Sequence, residues 1–188
     1  LEAKDYAVYD GKQPLISAVN HSPLTFGGAG LIPADQTWDK PYSPLFKYSW
    51  SKVYPTLLEV AKVNEINPFD GFLMQYSNPL TGGHVMQTMG ASMQLLPAGF
   101  SGKAHRHTGS FVYQCAKGKG YSIINGQRFD WKERDIFCVP SWAWHEHHNL
   151  SDSEDACLFS FNDLPVIEGL GLYQEKIYSE NNGNQSIN

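Results

Sequence analysis

The second half of the chain carries short apolar runs separated by turn residues, a pattern that the first half lacks. Runs of this length with closely spaced Gly- and Asn-containing turns predict an all-β sandwich or barrel. Asn125 and Gly126 separate two alternating runs and predict a tight hairpin, because both positions favour positive φ. The predicted strands are 90–96, 110–115, 121–124, 127–131, 136–139, 144–148 and 156–161.

The first half predicts a different organisation. Residues 1–48 show no clean period, so we expect an arm that lies against a sheet or a neighbouring subunit. Residues 49–63 predict one helix capped by Ser49 or Ser51, in which Pro55 fits the first turn after a cap at Ser51 or slightly later but not the interior. We expect a single domain in three parts. These are an N-terminal arm and helix over 1–70, a β-barrel over 71–178 and a flexible tail over 179–188.

Composition narrows the class of partner. The chain has 188 residues, 41% of them hydrophobic, which is typical of a globular domain with its own core. A formal net charge of -5 without a basic stripe argues against nucleic acid and anionic membrane as partners. No apolar run reaches the roughly 18 residues that a transmembrane helix needs, so no membrane span is predicted.

The ends and the cysteines suggest a cellular location. The chain begins at Leu1 without a leader, so we expect no secretory signal and a trimmed chain or a piece of a longer polypeptide. Cys115, Cys138 and Cys157 lie in apolar runs, and their odd number predicts buried, reduced thiols in a cytoplasmic protein.

A histidine pattern supplies the candidate chemistry. His105 and His107 are alternate residues of a predicted strand and project to the same side, and His145 on a distant strand can join them. Three imidazoles can hold iron, zinc, copper or nickel, so the ligands do not identify the metal. The alternative is surface histidines in a polar loop. We favour the metal site because glycines and a Pro-led strand frame these histidines at regular spacing.

These residues resemble the two motifs of the cupin superfamily. The matching residues are Gly99, His105, His107 and Gly118 in the first motif and Pro140, His145 and Asn149 in the second. Phe111 and Val112 stand where the first motif has an acid, and Trp142 replaces a glycine of the second. The resemblance implies a jelly-roll β-barrel whose metal is held by three histidines without a carboxylate.

A closer resemblance is to the gentisate 1,2-dioxygenase family, which includes salicylate and 1-hydroxy-2-naphthoate dioxygenases. The similar stretches are NPLTGG at 78–83, AHRHT at 104–108 and PSWAWHEHHN at 140–149. The resemblance implies the C-terminal cupin half of such an enzyme, without the first half. It also implies Fe(II) as cofactor, a small aromatic acid and O2 as substrates, and a homotetramer.

The same resemblance suggests two catalytic residues. His147 matches a family histidine near the substrate, where it can donate a hydrogen bond or shuttle a proton; the alternative is a supporting residue or another metal ligand. Gln94 matches a family glutamine near the active site, and its alternative is a polar residue satisfied by a backbone group. His148 should face away and be structural or exposed.

Other positions depart from the family or have two interpretations. Tyr113 stands in place of an arginine that grips the substrate carboxylate, and Ser160 in place of an aspartate. Arg106 should point outward and replace neither. Four aromatic residues offer either walls for an aromatic ligand or barrel core: Phe111, Trp142, Trp144 and Phe159.

Three hypotheses follow. The first is an Fe(II)-dependent dioxygenase that opens a hydroxylated aromatic acid. The second is a non-catalytic, metal-bearing cupin that stabilises an oligomer or a partner catalytic half. The third is a different cupin chemistry, such as an isomerase.

Overall fold

Two five-stranded antiparallel sheets enclose the core of the protein. The computed structural model describes residues 20–28, 30–35 and 37–187. One sheet has the order β1 (Phe72–Gln75), β2 (Gly90–Leu96), β9 (Ala156–Asn162), β4 (Phe111–Lys117), β7 (Ile136–Val139). The other has the order β10 (Glu175–Ile177), β3 (His105–His107), β8 (His145–Asn149), β5 (Lys119–Ile124), β6 (Gln127–Lys132). The predicted all-β jelly-roll class is confirmed.

The hairpin between β5 and β6 forms at the predicted turn. Asn125 and Gly126 have φ values of 48° and 78°, and Ile124 pairs with Gln127 across them. At the other end of β5, Gly120 lies so close to β8 that a Cβ would collide with the His148 carbonyl and the Trp131 ring. This close approach brings β5 against the strand that carries His145.

The strand with the first two histidines is short and held from both sides. β3 pairs with β8 only through His105 and His145. Its other edge pairs with β10, where Glu175 lies opposite His107 and Ile177 opposite His105. The C-terminal strand β10 was not predicted, because three exposed residues give no apolar alternation.

The predicted helix packs on the outside of the first sheet. α2 (Trp50–Val63) buries Leu57 against Met93, Leu95 and Cys157. The placement of Pro55 in the first turn was wrong, because the helix begins at Trp50, where the amides of Lys52 and Val53 bond the Ser49 carbonyl. Pro55 therefore lies inside the helix, at an exposed position where water can reach the carbonyl that its missing N–H leaves unpaired.

Three further short helical segments were not predicted. They are α1 (His21–Phe26), α3 (Leu164–Gly169) and the 3-10 turn Asn181–Gly183. None buries enough residues to show a helical period in the sequence. The first 19 residues of the predicted arm lie outside the described residues.

The end of the chain does not fit a flexible tail. Gln185 is buried, and its backbone N–H donates to Glu146 Oε2 at 3.0 Å. Its side-chain amide donates to the Ile123 carbonyl and accepts from the Gly126 N–H. A polar sequence hides this packing because the contacts are hydrogen bonds rather than apolar burial. The three-part division of the chain otherwise remains a prediction.

The cysteines differ from one another. Cys115 and Cys157 are buried as predicted, whereas Cys138 is exposed. Cys138 lies on the edge strand β7, where alternate residues Ile136 and Cys138 face outward and Val139 faces the core. The prediction for Cys138 was therefore wrong. Among the described residues, no helix has the length and apolar character to cross a membrane.

Candidate metal centre

Three buried imidazoles converge inside the two sheets. One nitrogen each of His105, His107 and His145 lies within 4.8 Å of the other two. The ring centroids are 4.3 Å apart for His105 and His145, 4.9 Å for His107 and His145, and 5.5 Å for His105 and His107. The two-residue alternation of β3 and the direct pairing of His105 with His145 produce this arrangement.

Hydrogen bonds determine which nitrogen is available. His107 Nδ1 lies 3.2 Å from the Thr108 carbonyl, and His145 Nδ1 lies 3.0 Å from the Ala143 carbonyl. A carbonyl only accepts, so each Nδ1 carries the proton and each Nε2 presents a lone pair. His145 Nε2 is buried and has no hydrogen-bond partner among the described residues. Such a buried atom costs about 1–3 kcal/mol unless something binds it.

The surroundings keep His107 and His145 neutral. Burial, followed by the neighbouring His105, lowers the pKa of His107, and burial lowers the pKa of His145 well below its ordinary value. A metal ion requires the neutral imidazole. The orphaned Nε2 and the neutral nitrogen donors therefore fit a divalent metal cofactor.

A carboxylate that the sequence did not suggest lies beside His105. Asp70 Oδ1 is 3.9 Å from His105 Nε2. Burial raises the pKa of Asp70, while His105 and His107 oppose that rise. The Asp70-Gly71 dipeptide signals a turn, but nothing in its spacing connects it to a histidine 35 positions later in the chain.

Gln94 is the partner of this carboxylate. Gln94 is 1% exposed on β2, and its Nε2 donates to Asp70 Oδ1 at 2.8 Å. Its Oε1 is buried without a hydrogen-bond partner among the described residues. The amide therefore bonds a side chain rather than a backbone group, and it retains an unused acceptor.

His147 lies on the same face of β8 as His145 but outside the group of three. Its ring centroid is 5.7 Å from that of His145 and 4.9 Å from that of Tyr113. Trp131 Nε1 donates to Ser122 Oγ at 3.0 Å, and Ser122 Oγ lies 2.7 Å from His147 Nδ1. Since the indole can only donate, the arrangement favours a Ser122 hydroxyl that donates to His147 Nδ1.

The direction of the Ser122–His147 hydrogen bond decides the His147 tautomer. With Nδ1 as acceptor, the proton of neutral His147 is on Nε2, which is buried without a partner among the described residues. Burial lowers the pKa of His147 to about 3, so the ring is a neutral hydrogen-bond donor near neutral pH. An N–H at Nε2 can donate a hydrogen bond to a ligand oxygen, whereas a metal ion would need a free lone pair on that nitrogen.

On the other face of β8, the histidine has a partner for each ring nitrogen. His148 Nδ1 lies 3.0 Å from Ser101 Oγ, its Nε2 lies 3.1 Å from Glu146 Oε1, and its ring stacks on Tyr121. Every polar atom of this imidazole has a partner. The predicted outward orientation and structural role of His148 agree with these contacts.

Of the four aromatic residues predicted as possible walls for a ligand, three lie away from the three histidines. Trp142 and Trp144 enclose Arg106, whose Cζ lies 4.4 and 4.3 Å from their ring centroids, on the face of β3 opposite the ligand histidines. Phe159 packs with Tyr76 in the cluster beneath α2. Only Phe111 contacts the site, 4.7 Å from the His107 ring. Trp144 directly precedes the inward-facing His145, so alternation directs it to the outer side.

Trp142, which stands where the second cupin motif has a glycine, adopts a left-handed backbone conformation that favours glycine. Its φ is +64°, and its N–H donates to the His107 carbonyl at 2.9 Å. This left-handed conformation costs a non-glycine residue roughly 1–2 kcal/mol. The contact between the indole and Arg106 offsets part of that cost.

The positions that depart from the family fill the interior. Tyr113 and Ser160 pair across β4 and β9 and are 3% and 1% exposed. The Tyr113 ring stacks between Phe111 and Phe137, with interplanar angles of 20° and 11°. Burial raises its pKa well above the ordinary value, so the phenol stays neutral. Tyr113 thus offers no cationic group for a carboxylate.

The two sheets and the convergent histidines define a metal-binding cupin. Residues 92–162 match the cupin domain family. The solved salicylate 1,2-dioxygenase of Pseudaminobacter salicylatoxidans superposes with a TM-score of 0.74 at 27% identity, over 83% of this chain and 45% of that chain.

Two curated relatives of this chain are also 1,2-dioxygenases. The chain is 40% identical over 145 residues to 5-aminosalicylate 1,2-dioxygenase of Comamonas sp., covering 77% of this chain and 38% of that protein. It is 36% identical over 160 residues to gentisate 1,2 dioxygenase 1 of Aquipseudomonas alcaligenes, covering 85% and 45%. The chain spans less than half the length of these relatives. It is a cupin-domain relative of the gentisate 1,2-dioxygenases, which confirms the predicted resemblance.

Proposed function

We propose that this chain is the metal-bearing cupin half of an Fe(II)-dependent ring-cleaving dioxygenase, which opens a hydroxylated aromatic acid with O2. The convergence of three buried imidazoles, one with an orphaned Nε2, carries the proposal. The chain's relatives are named for the oxidation of gentisate and aminosalicylate, which supports this substrate class. A cytoplasmic, homotetrameric enzyme fits the reduced thiols and the family resemblance.

Each residue of the site would have a separate role in this reaction. His105, His107 and His145 would hold the metal, which when bound supplies a template and electron transfer between the acid and O2. His147 would donate a hydrogen bond from Nε2 to a ligand oxygen. Gln94 would hold Asp70 and offer Oε1 to a substrate hydroxyl. The buried interior would exclude water from the reaction.

Oxygen uptake tests this proposal directly. The chain is loaded anaerobically with Fe(II), its metal content is measured, and gentisate, salicylate and 1-hydroxy-2-naphthoate are added in turn. We expect uptake with at least one acid, a clear loss in His147→Gln, and none in His145→Ala. His148→Gln serves as the control on the outer face of the same strand. A fully metallated chain that consumes no oxygen with any of the acids contradicts the catalytic proposal.

A second candidate is a non-catalytic metal centre that braces an oligomer or a partner half. The observation that favours it is the neutral, stacked Tyr113 at the position of a carboxylate-binding arginine. This candidate predicts that His105→Ala lowers the melting temperature while the activity of the assembled enzyme persists. Loss of activity in an assembly that remains folded would reject it. A centre that takes up only manganese or nickel would point to a different cupin chemistry.

A further inference from the structure

The first cupin motif of this chain lacks its acidic residue, yet a carboxylate reaches the histidines from elsewhere. Phe111 stands in the region where the motif has an acid, and its ring packs on His107. Asp70 instead approaches from the turn that precedes β1, with Oδ1 3.9 Å from His105 Nε2. Its side chain is only 18% exposed.

Two sets of hydrogen bonds hold Asp70 at this position. The Gln94 amide donates to Oδ1 at 2.8 Å from the buried face of β2. The Asn67 side chain accepts from the Phe69 N–H at 2.8 Å and from the Asp70 N–H at 3.3 Å. The backbones of Asn67 and Gly71 bond each other in both directions, which closes the turn. The carboxylate is therefore placed by a defined turn and a buried amide.

The separation is close to that of two ligands of one ion. Nitrogen and oxygen ligands bind such metals at about 2.0–2.2 Å, so adjacent ligand atoms lie about 3–3.4 Å apart. A side-chain rotation that moves Oδ1 by less than about 1 Å would bring it into that range of His105 Nε2, although Asp70 lies outside the group of three mutually close histidine nitrogens. We propose that Asp70 is the fourth protein ligand of the metal centre and replaces the missing acid of the first motif. This inference rests on the metal centre of the proposed function but not on ring cleavage.

A carboxylate ligand has two chemical consequences. Three neutral imidazoles leave the full charge of a divalent ion in a buried site, and Asp70 would cancel part of that charge. It would also leave fewer open positions for exogenous ligands than three histidines alone. Both effects favour tight retention of the ion.

Cobalt substitution tests this assignment. Co(II) is titrated into metal-free wild type, Asp70→Asn and Glu175→Gln in competition with a chelator, and the visible spectrum of each complex is recorded. Asp70→Asn preserves the shape and the acceptor for Gln94. Glu175 lies opposite His107 on β10 and is exposed, so Glu175→Gln removes a nearby charge that is not in position to bind.

We expect Asp70→Asn to weaken cobalt binding by about 100-fold and to shift the visible bands. Glu175→Gln should stay within about threefold of wild type with an unchanged spectrum, and Asp70→Glu should recover part of the affinity. Melting temperatures of the metal-free variants verify folding. Unchanged bands in Asp70→Asn overturn the assignment even if affinity falls, because the carboxylate then acts only through His105. Failure of wild type to bind cobalt would instead refute the metal centre itself.

Discussion

The two faces of β8 carry histidines with opposite properties. On the inner face, His145 and His147 are buried with Nε2 atoms that have no hydrogen-bond partner among the described residues. On the outer face, His148 is also buried, but Ser101 and Glu146 satisfy both of its nitrogens. Burial alone therefore does not distinguish a functional histidine from a structural one. The unsatisfied nitrogens of the inner face do, because a buried polar atom without a partner is costly unless water, an ion or a ligand binds it.

The largest contrast is expected when one histidine of each face is removed. His145→Ala should abolish stoichiometric metal binding. This is a larger loss than the roughly 10–100-fold fall in metal affinity expected when a residue that only orients a ligand is removed. His148→Ala should bind metal but lower the free energy of unfolding by about 1–3 kcal/mol, because Glu146 and Ser101 lose their partner. Metal analysis and urea denaturation measure the two effects. Equal metal loss in both variants would show that the faces do not differ in function.

Acid should destabilise the metal-free protein through the inner face. The pKa of His147 is about 3 in the folded state, against about 6.5 for an unfolded histidine. The unfolded chain therefore takes up the proton first. The stability contributed by neutral His147 is complete above about pH 6.5 and declines as the pH falls toward about 3.

Urea midpoints between about pH 7 and pH 4.5, measured with a chelator present, test this dependence. His147→Gln should show a flatter decline than wild type, since its side chain does not titrate. His148→Gln is the matched control on the outer face. A decline in His147→Gln as steep as in wild type would assign the acid sensitivity to other groups.

The smallest effect is expected outside the inner face, at Trp142. Trp142→Gly relieves roughly 1–2 kcal/mol of left-handed backbone strain and loses a cation–π contact of roughly 0.5–2 kcal/mol with Arg106. The net change in unfolding free energy should stay within about 1 kcal/mol, and metal affinity should not change. Denaturation and cobalt titration measure both. A marked loss of metal affinity would show that the indole, rather than its backbone, positions His107.

Local patterns were sufficient to predict the framework of the site. Alternation explains His105 and His107, and the Asn125-Gly126 turn fixes the register of β5 and β6. These features depend on neighbouring residues, so a sequence displays them. The motif predicts a glycine at position 142, and the positive φ of Trp142 is the backbone conformation that glycine favours.

The remaining features depend on contacts between distant residues. Asp70 reaches the histidines from a turn 35 positions before His105, and Gln185 covers Glu146 from the end of the chain. Neither contact has a spacing that a motif could reveal. Cys138 was misjudged for a related reason, because an apolar run does not tell which of its alternate residues lies at an open sheet edge.

The shortness of β3 makes the C-terminal segment part of the frame around the histidines. β3 has three residues and shares one residue pair with β8, so its second edge depends on β10. Cleavage within residues 170–174 would remove none of the three imidazoles. If β10 then dissociated, β3 with His105 and His107 would be attached to the sheet by one edge alone, and proteolysis could weaken metal binding without changing any histidine.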